Sequence, residues 1–333
     1  MPEFEIDASD ARRRLRRGLI SLAILMAVVI GLLLAIPGLH GVARTMTHMH
    51  ARWLAIGIVL ELLSCHAYVL AFLQVFDRAP LQFGARVALT EQAVGATVSL
   101  GGAGSLAVGA WLLHERGVPP ARIAERSAVL FLLTSAINVI TLVLAGLGLF
   151  TGVLPGPQHA LLSIVPAAIG AAVFALFLAL PRFTDRLAEV RDPGRVRSVL
   201  EGTSTSIRAT EKILFSSDWR TVGAVGYLWF DIGVLIACFA AIGPAPPLAC
   251  IVLAYQIGYM ANILPIPGSV GVLDGSFVGM LVLYGVNATA ATAATLVYHA
   301  IALWIPSLLG TAAFLVLRRA RGEPIRLHPR ELD

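Results

Sequence analysis

The chain has 333 residues, of which 57% are hydrophobic and 14% charged, and its mean hydropathy is +0.81. That composition excludes an ordinary water-soluble domain and describes a polytopic integral membrane protein. The formal net charge of +5 comes mostly from arginine and fits loops lying on an anionic inner leaflet, with no nucleic-acid partner.

In chain order, residues 1–17 form a basic N-terminus containing Arg12, Arg13, Arg14, Arg16 and Arg17. The apolar stretch from Gly18 to Leu39 is too long for a cleavable leader, and Pro37-Gly38-Leu39-His40 is a poor small-residue cleavage site. It reads as a retained signal-anchor span. Further runs at Trp53 to Phe76, Ser127 to Phe150, Ala160 to Leu180, Thr221 to Ile242 and Ala290 to Leu317 are each near the ~20 residues that cross ~30 Å of hydrocarbon, giving six expected spans. The polar stretch from Pro181 to Arg220 is expected to be a helical cytoplasmic connector. It divides a first membrane half, 18–180, from a second, 221–317, and a basic tail, 318–333, follows. Cys65, Cys238 and Cys250 lie in or beside apolar runs without CxxC spacing, so they read as buried hydrophobes with no disulfide and no metal site.

Two segments, Ala85 to Leu113 and Leu248 to Gly285, are too polar, too rich in glycine and too broken for ordinary spans. Lys and Arg accumulate on the cytoplasmic side, which places the N-terminus, the Asp77 to Arg86 loop, the connector and the tail inside. The Thr151 to His159 and Gly243 to Pro247 loops carry no Lys or Arg and fall outside; Arg44 and Arg52, on the expected outer face, run against the pattern. The pattern survives only if 85–113 is a hairpin that returns to the cytoplasm and 248–285 one that returns to the outside. The all-α fold expected is therefore six spans and two re-entrant hairpins of opposite orientation.

The hairpins also resemble one another. Glu91-Gln92 leads through Ser99 and the glycines Gly101, Gly102 and Gly104 to Gly117-Val118. Tyr255-Gln256 leads through Asn262, Pro265, Pro267, Gly268 and Gly271 to Gly285-Val286. The shared order implies an inverted-topology repeat whose broken helices meet near the midplane. Pro265 and Pro267 force a break, and non-helical backbone at membrane depth must face protein or a wet cavity.

The run Asn262-Ile263-Leu264-Pro265-Ile266-Pro267-Gly268-Ser269-Val270-Gly271-Val272-Leu273-Asp274-Gly275 resembles the proline-glycine segment of the lysylphosphatidylglycerol synthase transmembrane family, flippase-like domains found fused to aminoacyl-lipid synthases or alone. Gly104 through Leu113, Gly117-Val118-Pro119 and Glu125-Arg126 are similar to that family's first-half pattern. The chain departs from the pattern in having Asp274 for Glu, His299 for Arg and Gly109 for Arg. The resemblance implies movement of a lipid or lipid-linked molecule between leaflets by a stand-alone member, with membrane lipids as partners and no cofactor.

Ionisable side chains at membrane depth are expensive and are functional candidates. Glu61, Asp231 and Glu91 fit either a helix–helix hydrogen bond or a cavity, and His66 fits a neutral helix–helix hydrogen bond. Asp274 and His299 flank the expected break and take charged family positions, so they lead the candidates, with Asn262, Asn138 and Gln256 as polar neighbours. Arg126 is placed to snorkel or to catch a lipid phosphate, and Glu125 to cap the third span's N-terminus. A membrane-embedded transferase and a non-catalytic accessory subunit docking a lipid-biosynthesis enzyme on the connector are the alternatives. Against a transferase, the chain has no HExxH, GxSxG, DxD or glycine-rich phosphate loop.

Overall fold

The computed structural model describes residues 40–77, 79–97, 103–190, 195–216, 218–260 and 269–319, with positions 16, 17, 19–21, 23, 24 and 27; for 103–105, 184–190, 195–200, 259, 260 and 269–274 it describes backbone alone. Every regular element among these residues is a helix: α1 (His40–Thr47), α2 (Ala51–Val75), α3 (Leu81–Thr97), α4 (Ala103–His114), α5 (Pro120–Phe150), α6 (Ala160–Val190), α7 (Arg195–Leu214), α8 (Thr221–Ile242), α9 (Leu248–Met260), α10 (Ser269–Leu283) and α11 (Ala288–Arg319).

Among the described residues five helices are long and apolar enough to cross a membrane: Ala51–Val75, Pro120–Phe150, Ala160–Phe183, Thr221–Ile242 and Ala288–Arg319. They match five of the six expected spans. The remaining one, Gly18 to Leu39, lies outside the described residues but for a few helical positions between 19 and 27. Two boundaries differ from expectation. Helix α5 starts at Pro120, because Pro119 is extended (φ −60°, ψ 138°) and a proline at the first helical position has no N–H to waste. Glu125 therefore sits beyond the first turn and does not cap this helix. Helix α6 continues through Pro181 to Val190, so the connector begins as an extension of the span. Its second helix, α7, packs Ser206, Ile207 and Thr210 against α5 and α6, each under 5% exposed.

Between the long helices, α3 and α4 pack on one another, as do α9 and α10. Glu91 meets Gly109 across the first pair and Gly258 meets Phe277 across the second, so each chain segment folds back on itself. Both pairs end in the same turn. The N–H of Gly117 reaches His114 O at 2.9 Å and that of Val118 reaches Leu113 O at 3.2 Å, while Gly285 reaches Val282 O at 2.9 Å and Val286 reaches Leu281 O at 3.0 Å. This is the helix-ending motif that needs a left-handed residue, and glycine supplies it with φ of +85° and +86°.

The loops gather into two groups at opposite ends of the bundle. At one end, His50 donates to Ala241 O at 2.9 Å, Gly41 faces Thr289, Gly156 lies against Pro247 and Cys250, and Tyr284 Oη donates to Leu162 O at 2.7 Å. At the other, Gln74 Nε2 donates to Thr221 Oγ1 at 2.9 Å and Arg116 stacks over Phe83 at 5.1 Å. A cleft there is lined by Glu115, Arg116, Phe314 and Arg318. The turn after α4 thus lies beside the start of α3 and the end of α11, whereas the turn after α10 lies beside the start of α6.

Candidate functional site

A pair of carboxyls, one buried and one partly buried, sits where α2 and α8 cross. Gly57 lies against Val234 and Ala237, Gly233 against Leu60, Gly226 against Ala67, and Gly223 against Ala67 and Ala71. Partner numbers fall along α8 as they rise along α2, so the helices are antiparallel. With no hydrophobic drive between helices in lipid, such small residues let backbones approach and supply dispersion contacts. Near the middle of this seam stand Glu61 and Asp231, each the eleventh residue of its helix, counted from Ala51 and from Thr221.

Glu61 is 4% exposed. Its carboxyl faces Asp231 across this seam, between the contacts of Leu60 with Gly233 and of Ser64 Oγ with Tyr227 O. Glu61 Oε1 faces the Cys65 thiol at 3.9 Å, while Glu61 Oε2 is buried without a hydrogen-bond partner. Asp231 Oδ2 accepts from Tyr298 Oη at 2.9 Å and from Tyr255 Oη in a shorter bond. His299 adjoins this group, with its ring 4.9 Å from that of Tyr298 and 6.2 Å from that of Phe277. Helices α2, α8, α9, α10 and α11 all contribute to this cluster.

Glu91 occupies a second pocket. It is 3% exposed and accepts from Tyr68 Oη at 3.1 Å. Its carboxyl fills the space in which any side chain on Gly109 would stand. The residue that departs from the family pattern is therefore bare because a carboxyl lies on it. The two pockets are linked: Gln92 Nε2 donates to Cys65 O at 3.2 Å, and Tyr68 packs on Tyr227 at 5.1 Å. We expect Gly109→Ala to lower stability by about 1–3 kcal/mol through overpacking against Glu91. Gly279→Ala, with nothing within 4 Å of the new methyl, should cost nothing. Thermal melts of the two variants in detergent check this contrast.

Of the residues singled out from sequence, Glu61, Asp231 and His299 come together, and Glu91 lies in the adjoining pocket. Gln256 is 5% exposed with Nε2 unpartnered, and Arg126, on the second turn of α5, is not among the partners of either carboxyl group. Gly104 and Gly271 lie in the first turns of α4 and α10, and Asp274 lies on α10 without a described side chain. Ser99, Gly101, Gly102, Asn262, Pro265, Pro267 and Gly268 lie outside the described residues. Asn138 donates to Thr134 O at 2.9 Å on its own helix. His66 is corrected: it is exposed and its Nδ1 lies 2.8 Å from Leu62 O one turn earlier, so it does not bridge helices. Sequence reasoning missed Tyr298, Tyr68 and Cys65 as partners of these groups. Their signal is a polar tip on an otherwise apolar helix near an intramembrane ionisable side chain: Tyr298 adjoins His299, and Cys65 and Tyr68 follow Glu61 by four and seven residues.

Known proteins resemble the chain over nearly its whole length. A UPF0104 membrane protein from Methanothermobacter thermautotrophicus is 24% identical over 345 aligned positions, covering 93% of this chain and 96% of that protein. The model of the lysylphosphatidylglycerol synthase TM region matches residues 18–310, which include both helix pairs and the whole Glu61–Asp231 cluster. On that match, the chain is a membrane protein of the lysylphosphatidylglycerol synthase TM-region family.

Proposed function

We propose that the protein moves a lipid or lipid-linked molecule between the leaflets of a bacterial cytoplasmic membrane, with both termini in the cytoplasm. In this reading α3–α4 and α9–α10 are re-entrant hairpins inserted from opposite faces, and Gly18 to Leu39 is a sixth span. The observation that supports it best is the placement of the two matching turns, 114–118 and 282–286, at opposite ends of the bundle, each beside the loops from which its own helix pair sets out. Pairs of broken helices of opposite orientation create a polar path at the midplane that either side can reach in turn. A headgroup crosses through that path while its acyl chains stay in lipid.

Asp274, His299, Asn262 and Gln256 would meet the headgroup beside the break at Pro265 and Pro267, with Glu61, Asp231 and Glu91 deeper and Arg126 at an entrance. The experiment is reconstitution into vesicles with a headgroup-labelled phospholipid and a membrane-impermeant quencher. Wild type should expose inner-leaflet label to the quencher. Asp274→Asn and the double variant Pro265→Ala, Pro267→Ala should lose this activity while remaining folded. Full activity in both variants would remove the break from the mechanism, and inactive wild type would overturn the lipid reading.

A further inference from the structure

We infer that Glu61 and Asp231 form one proton-binding site shared by the two halves of the chain, and that its proton is the ion coupled to transport. The second clause rests on the transport reading above; the first does not.

The argument is a count of donors. Asp231 Oδ2 takes both phenolic hydrogens, from Tyr255 and Tyr298, and the Cys65 thiol faces Glu61 Oε1. Among the described residues nothing donates to Glu61 Oε2, which is buried in a residue only 4% exposed. Two carboxyls that face one another across a buried helix seam, one with an unserved oxygen, are satisfied by a single proton held between them. Since Asp231 already has two donors and Glu61 Oε2 none, the proton resides on Glu61 and is donated to Asp231. Among the described side chains, the groups beside the pair are Cys65 on α2, Tyr255 on α9, and Tyr298 and His299 on α11; Phe277 of α10 adds an apolar ring, and Glu91 accepts from Tyr68 in its own pocket. No lysine or arginine is among these described groups, so none of them supplies a fixed cation in place of the proton.

Position makes the site useful for coupling. Glu61 and Asp231 occupy equal places in two antiparallel helices, so neither end of the bundle is favoured. Asp231 and His299 are only partly buried, whereas Glu61, Tyr255 and Tyr298 are closed off, so the less enclosed side of the pair is that of Asp231. The hydrogen bond from Tyr255 ties α9, one arm of a helix pair, to the charge of the dyad. Binding converts one carboxylate and one proton to one carboxylic acid, with no electron transferred, and release reverses it.

Infrared spectroscopy of the full chain in lipid tests the site. At neutral pH wild type should show a deuterium-sensitive protonated-carboxyl band that Glu61→Gln removes and Glu91→Gln leaves. A wild-type spectrum without any such band, or a band unchanged by Glu61→Gln, overturns the inference. If Glu61→Gln does not fold, Glu61→Asp must keep a protonated band, shifted in position, and its absence overturns the inference equally. In vesicles, an imposed pH gradient should drive net lipid movement by wild type, and Glu61→Gln should lose this response. Lipid movement indifferent to the gradient, with the band present, overturns the coupling and leaves the lipid reading standing. Absence of lipid movement under all conditions, with the band present, overturns the lipid reading and leaves the proton site.

Discussion

Gly310→Val should abolish the folded protein. Gly310 lies in the middle of α11 where that helix rests on α3, and a Cβ at this position would overlap the Leu89 carbonyl and press on Ala93. Leu89 O is backbone in a helix interior and has no rotamer with which to escape. The two helices must separate, and their contact is among the most extensive in the molecule. Overpacking a core typically costs about 1–3 kcal/mol and more where backbone obstructs, so about 3 kcal/mol or more is expected here. That is a large share of the ~5–15 kcal/mol by which proteins are stable. Size-exclusion chromatography in detergent should show the loss of the monodisperse species.

Removing Asp231 should have the second-largest effect on stability. Asp231→Ala strips the acceptor from two buried tyrosine hydroxyls and leaves Glu61 without its neighbour. Each buried polar group left unsatisfied costs about 1–3 kcal/mol, so a loss of about 2–5 kcal/mol is expected. Asp231→Asn keeps a carbonyl oxygen for the hydroxyls, and its loss should stay below about 1.5 kcal/mol. Melting curves for the two variants distinguish a carboxyl that organises the core from one that merely occupies it; equal losses would show that the hydrogen bonds do not matter.

The apolar runs revealed the spans because hydrophobic length is a one-dimensional property, and each of the five described spans overlaps its expected run. Boundaries were less legible. The third span, expected from Ser127, starts at Pro120, and Pro181, the expected start of the connector, rides inside α6. The intramembrane acids stood out individually, since a carboxyl among apolar residues is conspicuous. Their partners did not: Glu61 and Asp231 are 170 positions apart, and only the small-residue seam of α2 and α8 brings them together. Tyr255 and Tyr298 look like core aromatics until the hydroxyls are seen to converge on one oxygen. Gly109 looked like a lost arginine, and its meaning lies in the Glu91 carboxyl that fills the space above it.

The proposed lipid path and the roles given to its lining residues depend on the two helix pairs entering from opposite faces of the membrane. Single cysteines at His114 and Asn287, labelled in intact cells and in inverted vesicles with a membrane-impermeant reagent, test this most directly. Position 114 should react only from the cytoplasm and position 287 only from outside, because each helix pair returns the chain to its own side. Reaction of position 114 from outside would place α3–α4 across the membrane and contradict the inverted arrangement.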